Sequence, residues 1–506
     1  MVSGLLYAVN LELTSDHVVP GLVAMELFKN GNIQYDYPAE DPYLFTDIYT
    51  FYLIPQILTG FSPLALKLTG FLVFVLVLAT FSYLVYRYAG LISALIFTAL
   101  LANVSQSSYY YFLSPEYHVG TLLATGLLIL LFNPETIKTA SNKLLALYLF
   151  ILGLVVLSDN LIIAYFLVPY LIYYLVRYKF YKSDGTSKAG RKQAAERASE
   201  GKKVTGILLL MGIISVFIYL YKRYQPTILP TVLPRFLRKP GELLSLDSTI
   251  VDRLVLYFQS ITMLVSRDLF SLLTNPLSIT AIAIAILFLL VLGYAIIRYD
   301  PKANYLNIMF LSSFGLMFIS YVFTTYATDD ISARFLILSA VSIFAVIALA
   351  FRENETEDKR NLIYLGAILL LLLATVPASL SSIAALSYKP NEQHYQVIDF
   401  LEDNNITVGY SGYDDANLLT YLSNDRVKLR LIREAPPGYS RPVPKGWMEN
   451  IWLSSERWWW TLPKSYAVVI NNDSELYPPL NRVVTAYPPE ETLYFGNYTI
   501  LKYSDK

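Results

Sequence analysis

Ile279–Ile297 reads ITAIAIAILFLLVLGYAII without one charged side chain, and Leu362–Ala385 reads LIYLGAILLLLLATVPASLSSIAA, equally uncharged. Runs of this length, wound as helices, reach across the roughly 30 Å hydrocarbon layer of a bilayer. Working outward from these two, similar runs recur along the chain and give roughly eleven spans of about 15–25 residues. Their approximate ranges are 2–14, 63–86, 90–106, 117–132, 143–157, 159–178, 204–221, 277–298, 305–326, 334–351 and 361–387. The first is too short to cross alone; either its true start lies upstream or the helix is a short one. Composition agrees: 55% of the 506 residues are apolar and 15% charged, where a soluble protein carries about 25% charged. The expected fold class is a polytopic α-helical membrane protein.

Composition also excludes. Zero formal net charge gives no electrostatic reason for a nucleic-acid partner. The chain has no cysteine, so disulfides, thiol catalysis and thiolate metal sites are ruled out. With 42 tyrosines and long Leu/Ile runs, the missing cysteine points to a hot-environment organism. No basic stretch precedes the first apolar run, so no cleavable signal peptide is evident.

Lys and Arg placement sets the orientation. Lys179, Lys182, Lys188, Arg191, Lys192, Arg197, Lys202 and Lys203 make one segment strongly basic and therefore cytoplasmic. Strict alternation then puts 15–62, 107–116, the turn at Asp159, 222–276, 327–333 and everything beyond Tyr388 outside. The segments 107–116 and 327–333 carry no Lys or Arg, as outer loops should not. The 222–276 loop breaks the rule with Lys222, Arg223, Arg235, Arg238, Lys239, Arg253 and Arg267. Long loops tolerate such charge; the sharper reading is that these cations meet an anionic lipid phosphate.

In the first outer loop, Ser15-Asp16-His17 precedes a helical stretch from Val18 to Lys29 that ends at Asn30-Gly31, with Ser15 or Asp16 as its expected N-cap and Gly31 as its C-terminal stop. Val19, Leu22, Val23, Leu27 and Phe28 give it an apolar face, so it is expected to lie flat in the membrane interface. A second flat piece, rich in Tyr and Phe, runs from about Phe45 to Thr59.

Asp16-His17, Gly21-Leu22-Val23-Ala24-Met25, Asn30-Gly31, and the second flat piece leading through Gly60-Phe61-Ser62 into Leu64-Ala65-Leu66-Lys67-Leu68 resemble the first loop of GT-C superfamily glycosyltransferases. The likeness is nearest to the protein O-mannosyltransferase-like (family 39) branch. It extends to the layout of most of the chain, with many spans, two flat helices in loop one and a small soluble C-terminal domain. The resemblance implies a donor sugar carried on a polyprenyl (dolichyl) phosphate, and an acidic residue after the first span acting as general base towards an acceptor hydroxyl. Asp16 holds that position; His17 stands where many relatives have a second acid. It also implies that an arginine opening a late span holds the donor phosphate, the position of Arg334 in Asp329-Asp330-Ile331-Ser332-Ala333-Arg334. Oligosaccharyltransferases share the fold, but their Trp-Trp-Asp-Tyr-Gly motif is absent; Trp458-Trp459-Trp460-Thr461 is not that motif.

The residues themselves supply the same chemistry. Sugar transfer with inversion needs a base for the acceptor and stabilisation for the departing phosphate. Glu116, His118 and Asp159 sit beside predicted outer turns and, with His17, are expected to position the acceptor. Guanidinium groups suit a lipid phosphate. Arg334 is the first choice, since its short loop has no other cation, and Arg253, in an amphipathic stretch from Asp247 to Ser266, is the second. Asp16, His17, Glu116 and His118 together would make a divalent-cation site, although their spacing matches no dedicated motif and separate roles are the simpler reading. The plain alternative for Asp16 and for Asp159 is a helix cap.

From about residue 388 the pattern changes to alternating helix and strand. Glu392–Asn404 and Asp414–Ser423 read as helices, and Ile406–Tyr410, Val427–Ile432, Tyr466–Ile470, Arg482–Ala486 and Tyr498–Tyr503 as strands. The expected division is therefore 1–387, a transmembrane catalytic region, and 388–506, a soluble extracytoplasmic α/β domain. The aromatic and acidic turn Gly409–Asp415 and Trp458–Trp460 would guide an acceptor, or simply pack and anchor at the interface. The partners expected are membrane lipids, a polyprenyl-phosphate sugar, and an acceptor that is protein, lipid or glycan. A transporter or flippase of lipid-linked sugars would instead place ionisable groups at mid-membrane and break helices in repeated halves. The spans carry almost no charge and no internal repeat is visible. A non-catalytic membrane scaffold is the third reading.

Overall fold

The computed structural model describes residues 2–31, 44–104, 106–114, 118–181, 206, 209–214, 216–217, 249–265, 279–298, 305–324, 330–351, 359–384, 389–434, 447–449, 463–473 and 487–504. The basic segment beyond residue 181, most of the span expected at 204–221, Arg235, Arg238, Glu116, Asp329, Trp458–Trp460 and the strand expected at 482–486 lie outside them.

Along Pro63–Ala89, Leu64, Leu68, Leu72 and Leu76 recur every fourth residue and are exposed, while Leu66, Val73, Phe74, Val77, Phe81 and Leu84 are buried against other helices. A helix apolar on both faces is at home only in lipid or in a large core. Tyr83 and Tyr86 are exposed at its basic end beside Arg87, where an aromatic belt belongs. Pro63–Ala89, Tyr305–Phe323 and Ser332–Leu349 are each long and apolar enough to cross a membrane, and shorter apolar helices, among them Leu91–Ala102, Val119–Leu131 and Asn142–Ser158, accompany them. Ile279–Arg298 and Lys359–Ala384 complete the set of predicted spans with described helices.

Three differences from the sequence reading have physical causes. The first helix, Val2–Val9, stops short of residue 14, and residues 11–14 lead into the first loop without regular structure. The segment expected as a loop at 107–116 forms the helix Gln106–Leu113. Its polar groups have partners inside the bundle: Ser108 donates to the carbonyls of Met263 and Leu264 at 3.0 and 2.6 Å, and Tyr109 to that of Ala102 at 2.7 Å. The third concerns the flat helix Val19–Asn30. It ends as expected at Gly31, in the left-handed region at φ 64°. It is not capped by Ser15 or Asp16, since Val18 is the N-cap and no side chain bonds there. Most of its apolar face is covered by protein and not by lipid: Val18, Val19, Leu22, Val23, Ala24 and Met25 are buried beneath the C-terminal domain and against the second flat piece, Leu44–Tyr52 and Leu53–Leu58, while Leu27 is half-buried and Phe28 is exposed.

Among the described residues the C-terminal domain forms a six-stranded sheet in the order β3-β2-β1-β4-β6-β5, where β1 is Val408–Ser411, β2 Lys428–Glu434, β3 Trp447–Glu449, β4 Ser465–Asn471, β5 Glu491–Phe495 and β6 Tyr498–Ser504. β1 is parallel to β2 and β4, with Gly409 opposite both Leu429 and Ala467; the other pairings are antiparallel. The short edge strands β3 and β5 escape a reading by alternation alone. Helices Glu392–Asp403 and Tyr413–Leu422 cover one face. Val397, Leu401, Leu419, Leu431 and Ile500 share one buried cluster with Leu13, Leu22, Met25 and Tyr52 of the first loop. Asn391 fixes the junction: its side-chain amide donates to the Leu13 carbonyl at 2.9 Å and accepts from the Leu13 N–H at 3.0 Å. Tyr421 donates to Gln56 at 2.8 Å. A Cβ on Gly21 would lie 2.2 Å from the Tyr421 ring. Gly21→Ala is therefore expected to loosen the docked domain by about 1–3 kcal/mol, read as faster proteolysis near Lys389; unchanged cleavage would argue against this seam.

Candidate active site

The start of Val119–Leu131 and the end of Asn142–Ser158 meet the second flat piece, through Gly120 to Asp47 and Ser158 to Thr46. Val119–Leu131 starts at His118, which adopts φ 61° and ψ 17°, a conformation unusual outside glycine. The clasp that holds it is Asp159, in the turn after Asn142–Ser158. Its Oδ2 lies 2.6 Å from His118 Nδ1 and accepts from Thr121 Oγ1 at 2.5 Å, and its Oδ1 accepts from the Leu161 N–H at 2.9 Å. Burial pushes this carboxyl up, but His118 and these donors hold it below its ordinary range. Both side chains are under 5% exposed. Asp159 thus does more than cap a helix: it ties two turns together. Asp159→Ala, which takes away the carboxylate bonded to the buried His118 and Thr121, is expected to cost about 1–3 kcal/mol, measured as a lowered unfolding midpoint in detergent; an unmoved midpoint would contradict the clasp.

The His118 ring packs on Phe335 with centroids 5.4 Å apart. Phe335 belongs to the 3-10 turn Asp330–Leu336 that opens the late span, and the Tyr165 hydroxyl donates to its carbonyl at 2.8 Å. The preceding residue is Arg334, whose guanidinium stands 5.1 Å from the Phe335 ring centre. Helix Ile250–Val265 packs along this turn, burying Arg253, Tyr257, Ser260 and Leu264 and exposing Val251, Val255 and Phe258. Arg253 Nε donates to the Val322 carbonyl at 2.9 Å, so this guanidinium is tied to the bundle.

Asp16 sits in the one-turn bend before the flat helix, where the Val19 N–H bonds to its carbonyl at 3.2 Å. Its carboxyl Oδ1 is buried and, among the described residues, has no hydrogen-bond partner. Burial pushes the carboxyl up to about 6; Arg334 draws it down and Asp414 pushes it further up. The structure therefore brings Asp16 and Arg334 within electrostatic reach of one another, and adds Asp414 from the C-terminal domain. The Ser15 hydroxyl secures that addition, bonding the carbonyls of both Tyr413 and Asp414, the latter at 2.8 Å.

His17 is turned elsewhere. It is fully buried, its Nδ1 accepts from the Thr14 N–H at 3.2 Å, its ring meets Tyr110 edge-on at 5.3 Å, and burial lowers its pKa to about 3. It stiffens the loop that carries Asp16 as a neutral ring. Of the four residues named for a cation site, His17 and His118 are thus engaged with separate partners, and among the described residues no three His, Asp or Glu side chains gather to hold a metal ion. Asp47 was missed by sequence reasoning. This carboxyl of the second flat piece is 2% exposed, accepts from the Gly120 N–H at 2.9 Å, and is pushed by burial up to about 7. A Cβ at Gly120 would lie 2.2 Å from the Thr46 carbonyl oxygen, so only glycine fits this contact. The signal was weak: one acid inside an aromatic run.

A buried acid after the first helix, within electrostatic reach of a guanidinium at the entrance of a late one and next to a docked α/β domain, defines a polytopic membrane protein with a polar site built around the first loop. Solved structures that it resembles include two of ArnT from Cupriavidus metallidurans. The apo form matches over 100% of this chain and 97% of that one, with TM-score 0.57 and 10% identity. The form bound to undecaprenyl phosphate matches over 99% and 96%, with TM-score 0.59 and 10% identity. At this identity the likeness establishes the fold, from one end of the chain to the other. No family model matches the sequence, and no curated protein does.

Proposed function

We propose that this protein is an integral-membrane glycosyltransferase that moves a sugar from a polyprenyl-phosphate carrier to an acceptor on the extracytoplasmic side. The observation that carries the reading is the buried Asp16 carboxyl beside Arg334, in a fold shared end to end with ArnT, a GT-C glycosyltransferase. One of the ArnT structures holds undecaprenyl phosphate, which supports a polyprenyl phosphate as the carrier here. The first-loop residues add the finer placement, near the protein O-mannosyltransferase-like branch, with a dolichyl carrier.

Asp16 takes the proton from an acceptor hydroxyl. The acceptor oxygen bonds to the anomeric carbon as the bond from that carbon to the phosphate oxygen breaks. The polyprenyl phosphate leaves with the electron pair, and Arg334 meets the charge that grows on it. His118, fixed by Asp159 and seated on Phe335, keeps the turn bearing Arg334 in place; Arg253, bonded to the Val322 carbonyl, holds the neighbouring helix Ile250–Val265 to the bundle. Glu116, three positions ahead of Val119, is proposed to line the acceptor side.

A base must be ionised to act, so kcat/KM is expected to fall as pH drops through about 6. Removing the Arg334 cation would raise the Asp16 pKa and move that limb upward. A pH profile at saturating donor checks both, and a flat profile between about pH 5 and 8 would count against Asp16.

A further inference from the structure

We propose that Asp414, in the turn at the start of helix Tyr413–Leu422, lines the acceptor side of the site and makes it select neutral or cationic hydroxyl compounds over phosphate-bearing ones. The inference rests on the function proposed above and goes beyond it to the acceptor's chemistry.

The turn is built into the site. The Ser15 hydroxyl, next in sequence to Asp16, bonds the carbonyls of Tyr413 and Asp414. Tyr413 packs on Val19, Val23 and Ile48 of the two flat pieces. Asp415 is buried and accepts from the Tyr498 hydroxyl at 2.8 Å, which anchors the turn to the sheet. Asp414 is exposed between these fixed points, and its charge is felt at Asp16. An acceptor hydroxyl that reaches Asp16 therefore passes a second carboxylate.

Charge balance then sets the class of acceptor. With a donor bound, the Arg334 guanidinium is committed to the donor phosphate. Among the described residues, the charge that remains next to Asp16 is that of Asp414. A phosphate group on the acceptor would sit against two carboxylates in a partly buried place, where like charges repel strongly. A neutral hydroxyl compound, such as a glycan or a hydroxyl-bearing peptide, meets no such penalty.

The test uses the purified full-length protein in nanodiscs, a polyprenyl-phosphate sugar as donor, and two acceptor probes, methyl glucoside and its 6-phosphate. Wild type is expected to favour the neutral probe in kcat/KM by about tenfold or more. Asp414→Asn and Asp414→Lys should bring the two probes within about threefold of one another, Asp414→Glu should restore the wild-type ratio, and the donor KM should hold steady throughout. A ratio that neither variant moves, a wild-type preference for the phosphorylated probe, or transfer to neither probe would overturn the proposal. Failure of the underlying function reads differently: Asp16→Asn would then transfer as fast as wild type.

Discussion

Asp16→Asn is expected to lower transfer by about 10²–10⁴-fold while leaving the donor bound, because it removes the only step it is asked to perform, proton removal from the acceptor. The substitution nearly preserves shape, and the carboxyl makes no capping bond to the flat helix, whose N-cap is Val18. Its loss should therefore leave the fold intact. Asparagine would in fact relieve the cost of holding an ionised oxygen that has no hydrogen-bond partner among the described residues. A variant as stable as wild type but inactive is thus the expected pair of results, measured by thermal unfolding and by sugar transfer on the same preparation. If activity and stability fell together, Asp16 would be a structural residue and not a base.

Arg334→Ala is expected to lower turnover by about 10²–10³-fold, the scale for removing one donor aimed at developing charge. Arg334→Lys should recover only part of it. A lysine reaches the same place as a point charge but lacks the planar fork that meets two phosphate oxygens, and it lacks the flat face that lies 5.1 Å from the Phe335 ring centre. The loss should appear in kcat and in donor binding together. Arg253→Ala offers the contrast. Its Nε is already bonded to the Val322 carbonyl, so its effect should be on stability more than on the donor constant. Equal and large donor effects for both arginines would mean that the phosphate bridges them.

Much of the fold was legible because lipid imposes length and apolarity on each span separately. Ile279–Ile297 needs no partner to be recognised. Gly31 as a helix stop and the helix–strand alternation after residue 388 are equally local signals. What escaped was long-range. The flat helix Val19–Asn30 has an apolar face whose pattern is the same whether lipid or a docked domain covers it; only the buried contact with Tyr421 decides for the domain. His118 and Asp159 were each visible as polar residues beside outer turns, but their 2.6 Å pairing depends on how two helices pack. The same holds for Asn391 and Leu13, 378 positions apart. In the site, Asp16 and Arg334 stand out separately in the sequence, and in the fold the Arg334 charge is felt at Asp16. The turn at Gly409–Asp415 was noticed for its aromatics and acids, and its place above Asp16 could come only from the docking of the domain through Ser15.

One measurement goes to the centre of the account: donor consumption by the purified protein in nanodiscs, followed by chromatography of the lipid extract across a panel of polyprenyl-phosphate sugars. The account predicts that at least one donor is converted to free polyprenyl phosphate in step with sugar appearing on an acceptor, and that Asp16→Asn stops it while still retaining that donor. No conversion of any donor by the wild-type protein, or equal conversion by the variant, would contradict it.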